Sequence, residues 1–416
     1  MNRMDGLYES IDAVPLDEWE QVCGATPTCF MEPGFLRALE RTLPDQARIF
    51  HAIFRSPDGR PTACASLCLY PVDLFSLASP AIRDRTAWLQ RLLPGLTRLK
   101  ILMCGLPFSA GQSHLAFAPR ADRPRVLEQL DLLLRQLAQR EKATLIVLKE
   151  FGEEEQPDMD CLLRRGYVRG DSPPMYELEK PFASFDEYRA ALKAHYRTNV
   201  KRAERKFATA GCRLVRLTNL DDIRRVYTPE VHRLYEAVVM NSETRLEVLS
   251  HDFFLELAGQ LPGELALTVA YREDRLIGFT WELVDGPVYH FLFMGLDYRQ
   301  TVDTDLYFNL VYQALDHAFR SGAGVVHVGQ TADGFKSLLG CRGNRRYLYG
   351  RGVGPTFSWI LRRAAGLLFP PRPKLAPHDV FKATVAGTGM PPVASLAMPL
   401  ARLATASAPV ARSTHR

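Results

Sequence analysis

The sequence predicts a mixed α/β (α+β) fold in which one βα unit occurs twice along the chain. The 416 residues are 47% hydrophobic and 24% charged, proportions typical of a globular protein with large buried cores. At this length two or three domains are expected. The order hairpin, strand, loop, long helix, strand, short helix ended by glycine, and strand is found in each half. This repetition indicates an internal duplication of architecture.

The first copy is predicted to span residues 1–178. A hairpin is expected across Ser56-Pro-Asp-Gly, because Asp-Gly between two apolar runs favours a tight turn. Its long helix carries leucines at steps of three and four, which form one apolar face. The predicted strands are 48–55, 61–75, 99–104, 143–148 and 167–178, and the predicted helices lie within 15–43 and at 123–140 and 159–165.

The second copy is predicted to span residues 179–352 and to begin with a basic helix. Its predicted strands are 212–217, 265–271, 276–284, 288–295, 325–328 and 345–349, and its predicted helices are 221–239, 250–261, 304–320 and 333–339. Gly166 and Gly340 end the short helix of the first and the second copy, respectively.

Residues 353–416 differ from both copies in composition. They hold eight Lys or Arg and one acidic residue, Asp379, which is a local charge of +7. The whole chain carries +5, so residues 1–352 carry −2. The Ala-, Pro-, Thr- and Ser-rich sequence predicts a disordered basic tail. Within it 359–369 is a candidate amphipathic helix, for which weak contact with an anionic membrane surface and packing on the domain are alternatives.

The helix predicted at 184–207 is the most basic segment of the main body. Ser184 and Glu187 are placed to form a capping box. The apolar stripe consists of Leu192, Tyr196, Val200, Ala203 and Phe207, and the basic stripe of Arg189, Lys193, Arg197, Lys201 and Arg205. Like charges four residues apart cost about 0.2–0.5 kcal/mol each. The basic stripe is therefore either a solvated face or the wall of an anion-binding cleft, with an RNA groove as a further alternative.

Cysteine and histidine spacing exclude several classes of site. The eight cysteines include no CxxC pair, and the N-terminus has no apolar secretory segment, so free thiols and a cytoplasmic location are expected. No apolar run approaches the ~18 residues of a spanning helix. The ten histidines show no HxxxH spacing, so no metal site is predicted.

Three motifs carry a resemblance to a known family. They are Tyr196-Arg-x-Asn-x-x-Arg202, Met294-Gly-Leu-Asp-Tyr-Arg, and Val328-Gly-Gln-Thr-Ala-Asp-Gly-Phe-Lys336. Their order, together with the duplicated unit, resembles the FemAB-like and BioF-type acyltransferases of the GNAT superfamily. The resemblance covers roughly residues 15–352. It implies two tandem GNAT-like domains linked by the basic helix, and acyltransferase activity.

Such enzymes join an activated acyl or aminoacyl group to an amine. The amine must lose a proton, and the tetrahedral oxyanion needs fixed donors, commonly a backbone N–H exposed by a bulge. The resemblance implies that Phe335 and Lys336 lie at the catalytic centre, because family members carry a Phe-Lys pair there. It also implies that Arg197, Lys201 and Arg202 bind an anionic carrier. A surface lysine on a short helix is the alternative for Lys336.

Four further residues are candidates for the same cleft. Asp297 and Tyr298 follow the fourth strand of the second copy, where a carboxylate can accept the amine proton and a phenol can donate one. Capping of the next helix is the alternative for Asp297. Trp281 and His290 are candidate lining residues on neighbouring strands, and a satisfied core histidine is the alternative for His290.

Acyl-CoA is the cofactor expected from the superfamily, whose Arg/Gln-x-x-Gly-x-Gly/Ala loop cradles a pyrophosphate at a helix N-terminus. Here the frame Gln300-Thr-Val-Asp303-Thr-Asp305 has aspartates at both glycine positions, which repel a phosphate. The loop from Gly105 to Gly111 in the first copy is a weaker alternative. The resemblance also implies an aminoacyl-tRNA as an alternative donor.

The predicted function is transfer of an acyl or aminoacyl group from acyl-CoA or aminoacyl-tRNA to an amine. The acceptor is expected to be an anionic small molecule or a carrier-linked group, in cell-envelope or polysaccharide biosynthesis. The alternative is a catalytically inactive GNAT-fold binding module in envelope assembly, which Asp303 and Asp305 favour. The sequence leaves open the donor, the acceptor, the general base and the oligomeric state.

Overall fold

The computed structural model describes residues 6–24, 28–44, 47–73, 98–108, 111–179, 182–241, 248–330, 333–369, 372 and 378–382. The strands are β1 (Leu7–Tyr8), β2 (Arg48–Arg55), β3 (Pro61–Asp73), β4 (Arg98–Cys104), β5 (Leu115–Phe117), β6 (Leu145–Gly152), β7 (Val168–Leu178), β8 (Cys212–Leu217), β9 (Leu265–Arg272), β10 (Arg275–Asp285), β11 (Val288–Leu296), β12 (Val325–Gly329) and β13 (Arg342–Gly352). The predicted mixed α/β fold is confirmed.

The helices are α1 (Leu16–Cys23), α2 (Pro33–Thr42), α3 (Arg123–Arg140), α4 (Gln156–Met159), α5 (Phe185–Ala191), α6 (Ala194–Thr209), α7 (Leu220–Val226), α8 (Pro229–Met240), α9 (His251–Gln260), α10 (Tyr298–Thr304), α11 (Leu306–Arg320), α12 (Asp333–Leu338) and α13 (Gly354–Leu368). Short 3-10 helices span Ile11–Ala13, Cys29–Met31 and Asp160–Arg165. Gly166 and Gly340 have φ of +88° and +84°, the left-handed conformation that ends a helix at little cost for glycine.

Within the described residues, 13 strands form one mixed sheet that runs through both copies. Its order is β1-β2-β3-β4-β6-β13-β7-β12-β11-β10-β9-β8, with β5 beside β3. β4 pairs with β6, and β11 with β12, in parallel. Each of these parallel pairs is connected through a long helix, α3 or α11, as a crossover between parallel strands requires.

The two copies share this sheet because they exchange their last strands. β13 lies between β6 and β7, and β7 lies between β13 and β12. Across the sheet, β6 of the first copy therefore lies next to β13 of the second, and β12 of the second copy lies next to β7 of the first. Strands of both copies alternate at the centre, and the boundary placed at 178/179 stays a prediction.

The hydrophobic cores also join the copies. One cluster contains Trp19 and Phe35 from the first copy together with Phe253 and Trp281 from the second. It lies where α2 packs against α9. The predicted apolar face of α3 is buried in another cluster. The residues of this face are Val126, Leu127, Leu130, Leu133, Leu134 and Leu137. Burial of this size is the main stabilising contribution to a domain.

The basic segment 184–207 is two helices, which corrects the prediction of one. α5 ends because Leu192 is extended, with φ −65° and ψ 145°, and pairs with Phe381 across an isolated bridge. The Lys193 N–H donates to the Val380 carbonyl at 2.8 Å, and the Lys382 N–H donates to the Ala191 carbonyl at 3.0 Å. A segment distant in sequence thus takes the backbone groups that a continuous helix would use.

The predicted start of this segment is confirmed. Ser184 Oγ accepts the Glu187 N–H at 3.2 Å, and the Glu187 carboxylate accepts the Ala183 N–H at 2.8 Å. These reciprocal bonds satisfy two N–H groups that have no partner within the helix.

Part of the predicted tail has regular structure: α13 confirms the candidate helix at 359–369, and the docking of residues 378–382 corrects the predicted disorder there. α13 packs on β13, with Leu361 buried and Trp359 59% exposed. Val380 and Phe381 are buried among Phe182, Tyr188 and their neighbours. Residues 383–416 lie outside the described part of the chain, so their predicted disorder stays a prediction.

All eight cysteines are free thiols in the structure, and five of them are buried, namely Cys29, Cys64, Cys68, Cys104 and Cys341. None of the helices in the described ranges combines the length and apolarity needed to cross a membrane.

We predict that Phe381→Ala lowers the free energy of unfolding by about 3–5 kcal/mol, since it empties a buried aromatic site. The Phe381 ring lies 5.7 Å from that of Phe182 and 6.0 Å from that of Tyr188. Guanidinium denaturation measures the change. Lys382→Ala, at an exposed neighbouring side chain, is the matched control and should change stability little. Equal losses in both variants would contradict the buried docking of this segment.

Candidate functional site

The carboxyl ends of β11 and β12 separate and leave a gap in the sheet. Their parallel pairing covers Val288–His290 and Val325–His327, whereas β11 continues to Leu296 along β10. At this point β11 contains a bulge, because Trp281 faces Phe293 and Glu282 faces Phe291, so that Leu292 has no partner residue. A bulge turns backbone groups out of the ladder. The gap therefore has a source for the backbone N–H that acyl transfer requires.

Phe335 and Lys336 stand at the end of β12, beyond Gly329. The Phe335 ring lies 4.7 Å from the Tyr307 ring and 4.9 Å from the Phe308 ring of α11. Lys336 is only 3% exposed, so it is not a surface lysine. Its Nζ lies 5.6 Å from the centre of the Tyr176 ring, and a Cβ at position 329 would lie 3.4 Å from it. Glycine at 329 leaves space for the ammonium beside the strand end.

A pocket of about 160 Å³ lies between α6, α11 and α12. Its walls are mainly apolar, and Asn199, Arg202 and Asp305 supply its charged and amide groups. The apolar side chains are those of Tyr188, Leu192, Tyr196, Val200, Ala203, Phe308, Tyr312, Phe335, Leu338 and Leu339. The fold thus brings together Arg202 and Phe335, which are 133 positions apart in the printed sequence. Lys336 follows Phe335 in sequence, and its ammonium lies beside Tyr176 and Gly329.

The other basic residues of the segment are mostly engaged within the protein. Arg189 pairs with Glu204 at 3.0 Å, and Lys193 pairs with Asp379 at 2.7 Å. Arg197 donates to the Leu192 carbonyl at 3.2 Å. Acidic and carbonyl groups of the chain therefore relieve part of the repulsion along the stripe. The exposed cations near the pocket are Lys201, Arg202 and Arg205.

The frame expected to cradle a pyrophosphate is helical. α10 occupies it, and Asp305 follows in the left-handed conformation with φ +48°. The Asp305 carboxylate pairs with Lys206 Nζ at 3.0 Å. Asp297 caps α10 by accepting the Arg299 N–H at 3.1 Å, and it pairs with Arg275 at 2.8 Å. This is the capping arrangement, and a catalytic role for Asp297 stays a prediction.

Trp281, His290 and Tyr298 do not line the pocket of α6, α11 and α12. Trp281 is fully buried and stacks on Phe254, with ring centres 5.6 Å apart. His290 is 2% exposed and lies against Phe30. Tyr298 is 45% exposed at the start of α10. Their proposed contacts with substrate therefore stay predictions.

The corresponding gap in the first copy is closed. β4 pairs with β6 from Ile101 to Cys104, and the chain then folds back over the strand ends. The buried Lys149 ammonium donates to the carbonyls of Leu106 at 3.0 Å and Phe108 at 2.8 Å. In the described part of the loop from Gly105 to Gly111, carbonyls face a cation. Residues 109–110 lie outside the described chain, and the alternative that this loop holds a pyrophosphate stays a prediction.

Burial at this closed gap also affects a histidine. His114 is fully buried, and burial, followed by the positive charge of Lys149, lowers its pKa to about 3. The imidazole is therefore neutral in the folded protein at neutral pH.

A row of polar side chains crosses the exchanged strands, and no local motif of the sequence indicates it. His290 is in register with His327, and His327 with Glu177. Glu177 accepts hydrogen bonds from Asn344 at 2.7 Å and from Arg346 at 3.1 Å. Burial, with smaller contributions from His290 and Arg346, lowers the pKa of His327 well below its usual value. Only the order of strands in the sheet brings these residues together.

Comparison with known proteins identifies the type of domain. Residues 194–337 match the family model for an acetyltransferase (GNAT) domain. This range contains the bulge of β11, Lys336 and the pocket-lining residues from Tyr196 to Phe335. It confirms the predicted GNAT-type acyltransferase domain in the second copy.

Solved structures are similar over most of the chain at low identity. A conserved protein of unknown function from Bacteroides thetaiotaomicron VPI-5482 is 10% identical and covers 83% of this chain and 98% of its own, with a TM-score of 0.50. A tandem GNAT protein from the clavulanic acid biosynthesis pathway is 15% identical over 82% and 94%, with a TM-score of 0.47. FemX is 12% identical over 73% and 87%, with a TM-score of 0.44. No curated protein sequence matches the chain.

We predict that His114 makes the free energy of unfolding fall as the pH is lowered below its ordinary pKa of 6.5. The unfolded chain binds the proton there and the folded chain does not, so stability falls by about 1.4 kcal/mol per pH unit down to the folded pKa. His114→Gln should reduce this slope, measured by denaturation between pH 7.5 and 5. The exposed His195→Gln is the control, and identical slopes in all three proteins would refute the assignment.

Proposed function

We propose that this chain, whose residues 194–337 are a GNAT-type acetyltransferase domain, transfers an acyl or aminoacyl group from a phosphate-bearing donor to an amine. The acceptor is a small anionic molecule or a group linked to a carrier. One observation carries the proposal: the bulge at Leu292 and the buried Lys336 lie at the carboxyl ends of β11 and β12, and Phe335, the neighbour of Lys336 in sequence, lines the pocket that contains Arg202.

The size of the pocket indicates which part of the donor it holds. About 160 Å³ is less than the roughly 300–1,000 Å³ of sites that enclose a whole drug-sized ligand. The apolar walls therefore suit a short acyl chain or an amino-acid side chain. The carrier portion of the donor lies outside, along the exposed cations Lys201, Arg202 and Arg205.

The reaction follows from this placement. The neutral amine attacks the carbonyl carbon of the acyl group, a C–N bond forms, and the C–S or C–O bond to the carrier breaks. The bulged N–H at Leu292–Phe293 and the Lys336 ammonium stabilise the oxyanion that forms in between. The amine proton leaves with the carrier or to water.

Helix α10 favours a donor held differently from conventional acyl-CoA. A glycine loop would present N–H groups to a pyrophosphate, whereas this chain presents Asp305, already paired with Lys206. Phosphates bound along α6 fit an aminoacyl-tRNA, and acyl-CoA bound through the same side chains is the second candidate. Transfer assays with labelled acyl-CoA and with aminoacyl-tRNA decide between them. Binding of a donor without transfer to any amine would support the binding-module alternative.

We predict that Lys336→Met lowers kcat for transfer by about 10²–10³, the usual loss when a group stabilising an oxyanion is removed. Methionine fills the buried space without the charge, so the thermal unfolding midpoint serves as the test of an intact fold. Unchanged kcat in a folded Lys336→Met protein would exclude the catalytic role.

We predict that Arg202→Ala raises KM for the donor by about 10-fold or more at unchanged kcat, because a charge-assisted contact contributes about 1.5–3 kcal/mol. Higher salt should reduce the difference. Arg224→Ala, at an exposed arginine of α7 outside the pocket, is the matched control. Equal KM values for the two variants would place the carrier elsewhere.

A further inference from the structure

Three potential metal ligands meet at the junction of the two copies. Cys29 belongs to a 3-10 helix near the N-terminus, Asp285 ends β10, and His290 lies in β11. One ligand atom from each residue lies within 4.8 Å of the others. Cys29 and His290 are each 2% exposed, and they lie beside the core cluster that contains Phe30 and Trp281.

His290 provides a second, independent observation. Its Nε2 is buried and has no hydrogen-bond partner. The nearest carboxylate oxygen, Asp285 Oδ2, is 3.6 Å away and already accepts the Cys29 backbone N–H at 2.7 Å. A buried polar atom without a partner costs about 1–3 kcal/mol. A cation between these groups would remove that cost.

The separations suit a tetrahedral ion. Ligand atoms at bond lengths of about 2.0–2.3 Å from Zn²⁺ lie roughly 3.3–3.7 Å apart. The 3.6 Å between His290 Nε2 and Asp285 Oδ2 falls in this range. No two ligand atoms of the cluster are more than 4.8 Å apart, so side-chain rotation has to shorten a separation by at most about 1.5 Å.

The chemistry of the donor set selects the metal. One thiol, one imidazole and one carboxylate match the sulfur, nitrogen and oxygen ligands of Zn²⁺, whereas Mg²⁺ and Ca²⁺ prefer oxygen alone. We propose that Cys29, Asp285 and His290 bind a Zn²⁺ ion, with a water in the fourth position. The ion bonds to Cys29 Sγ, the thiol proton leaves to solvent, and His290 contributes the lone pair of Nε2.

The ion would fasten the N-terminal segment to the second copy. Cys29 precedes α2, which packs against α9, while Asp285 and His290 flank the turn between β10 and β11. The Cys29 N–H and Asp285 carboxylate already connect positions 256 apart in sequence. A metal bond at this place adds to the stability of the folded state alone, since the unfolded chain does not hold the ligands together.

The test uses the full-length protein and metal ions alone. The protein is stripped with chelator, dialysed, and titrated with Zn²⁺ and separately with Co²⁺. We expect one equivalent of tightly bound zinc by mass spectrometry of metals and a higher thermal midpoint. Co²⁺ should give a thiolate-to-metal charge-transfer band in the near ultraviolet. Cys29→Ala and His290→Gln should bind at least 100-fold more weakly, and the thiolate band should vanish in Cys29→Ala.

Cys104→Ala, at a buried cysteine of another core, is the matched control and should retain the metal. If a variant fails to fold, the cobalt spectrum of the unaltered protein still reports whether a thiolate is bound. Zinc uptake equal in the unaltered protein and Cys29→Ala, or a cobalt spectrum without the thiolate band, would overturn the proposal. Neither result bears on acyl transfer, because Lys336 and Arg202 lie outside this cluster.

Discussion

β12 parts from β11 after His327 and stays paired with β7 as far as Gly329. Val326 pairs with Leu178, His327 with Glu177, and Gly329 with Tyr176, so the far end of β12 is held by a strand of the first copy. β11 meanwhile stays with β10 through its bulge and continues to Leu296. Lys336 lies beside Tyr176 of β7, so the exchanged strand forms one side of the site. A change in the pairing of β7 would therefore move the site as well as the sheet.

In the second copy, contacts within the protein engage part of the basic segment, and the remaining exposed cations are available to a ligand. Exposed ion pairs such as Lys193 with Asp379 contribute little stability, typically about 0–1 kcal/mol. Their effect is to reduce the repulsion between neighbouring cations and to fix where the remaining positive charge lies. Lys201, Arg202 and Arg205 stay exposed next to an apolar pocket. An anionic carrier is favoured there because basic charge is locally in excess in a body that is otherwise slightly acidic.

Local patterns predicted local structure well. The hairpin at Ser56-Pro-Asp-Gly, the helix from Arg123 to Arg140 and the capping box at Ser184 depend on residues close in sequence, and each forms as expected. The break at Leu192 depends on Phe381, and the cluster of Cys29 with His290 depends on strand order. A spacing rule compares residues that are close in sequence, so it does not predict contacts between residues that are far apart in the chain. Of the site, Phe335 and Arg202 were found through a family resemblance, whereas the bulge at Leu292 required the registers of β10 and β11.

The two copies differ in what they do with the same gap. In the first, Lys149 is turned inward, and two backbone carbonyls of the loop satisfy its ammonium, which closes the strand ends with apolar side chains such as Phe108. In the second, Lys336 follows the strand on α12, β11 carries a bulge, and Phe335 beside Lys336 lines a pocket. The closed gap of the first copy adds to its packed core, whereas the open gap of the second copy provides the candidate site. The exchange of β7 and β13 lets the packed copy hold the open copy in place.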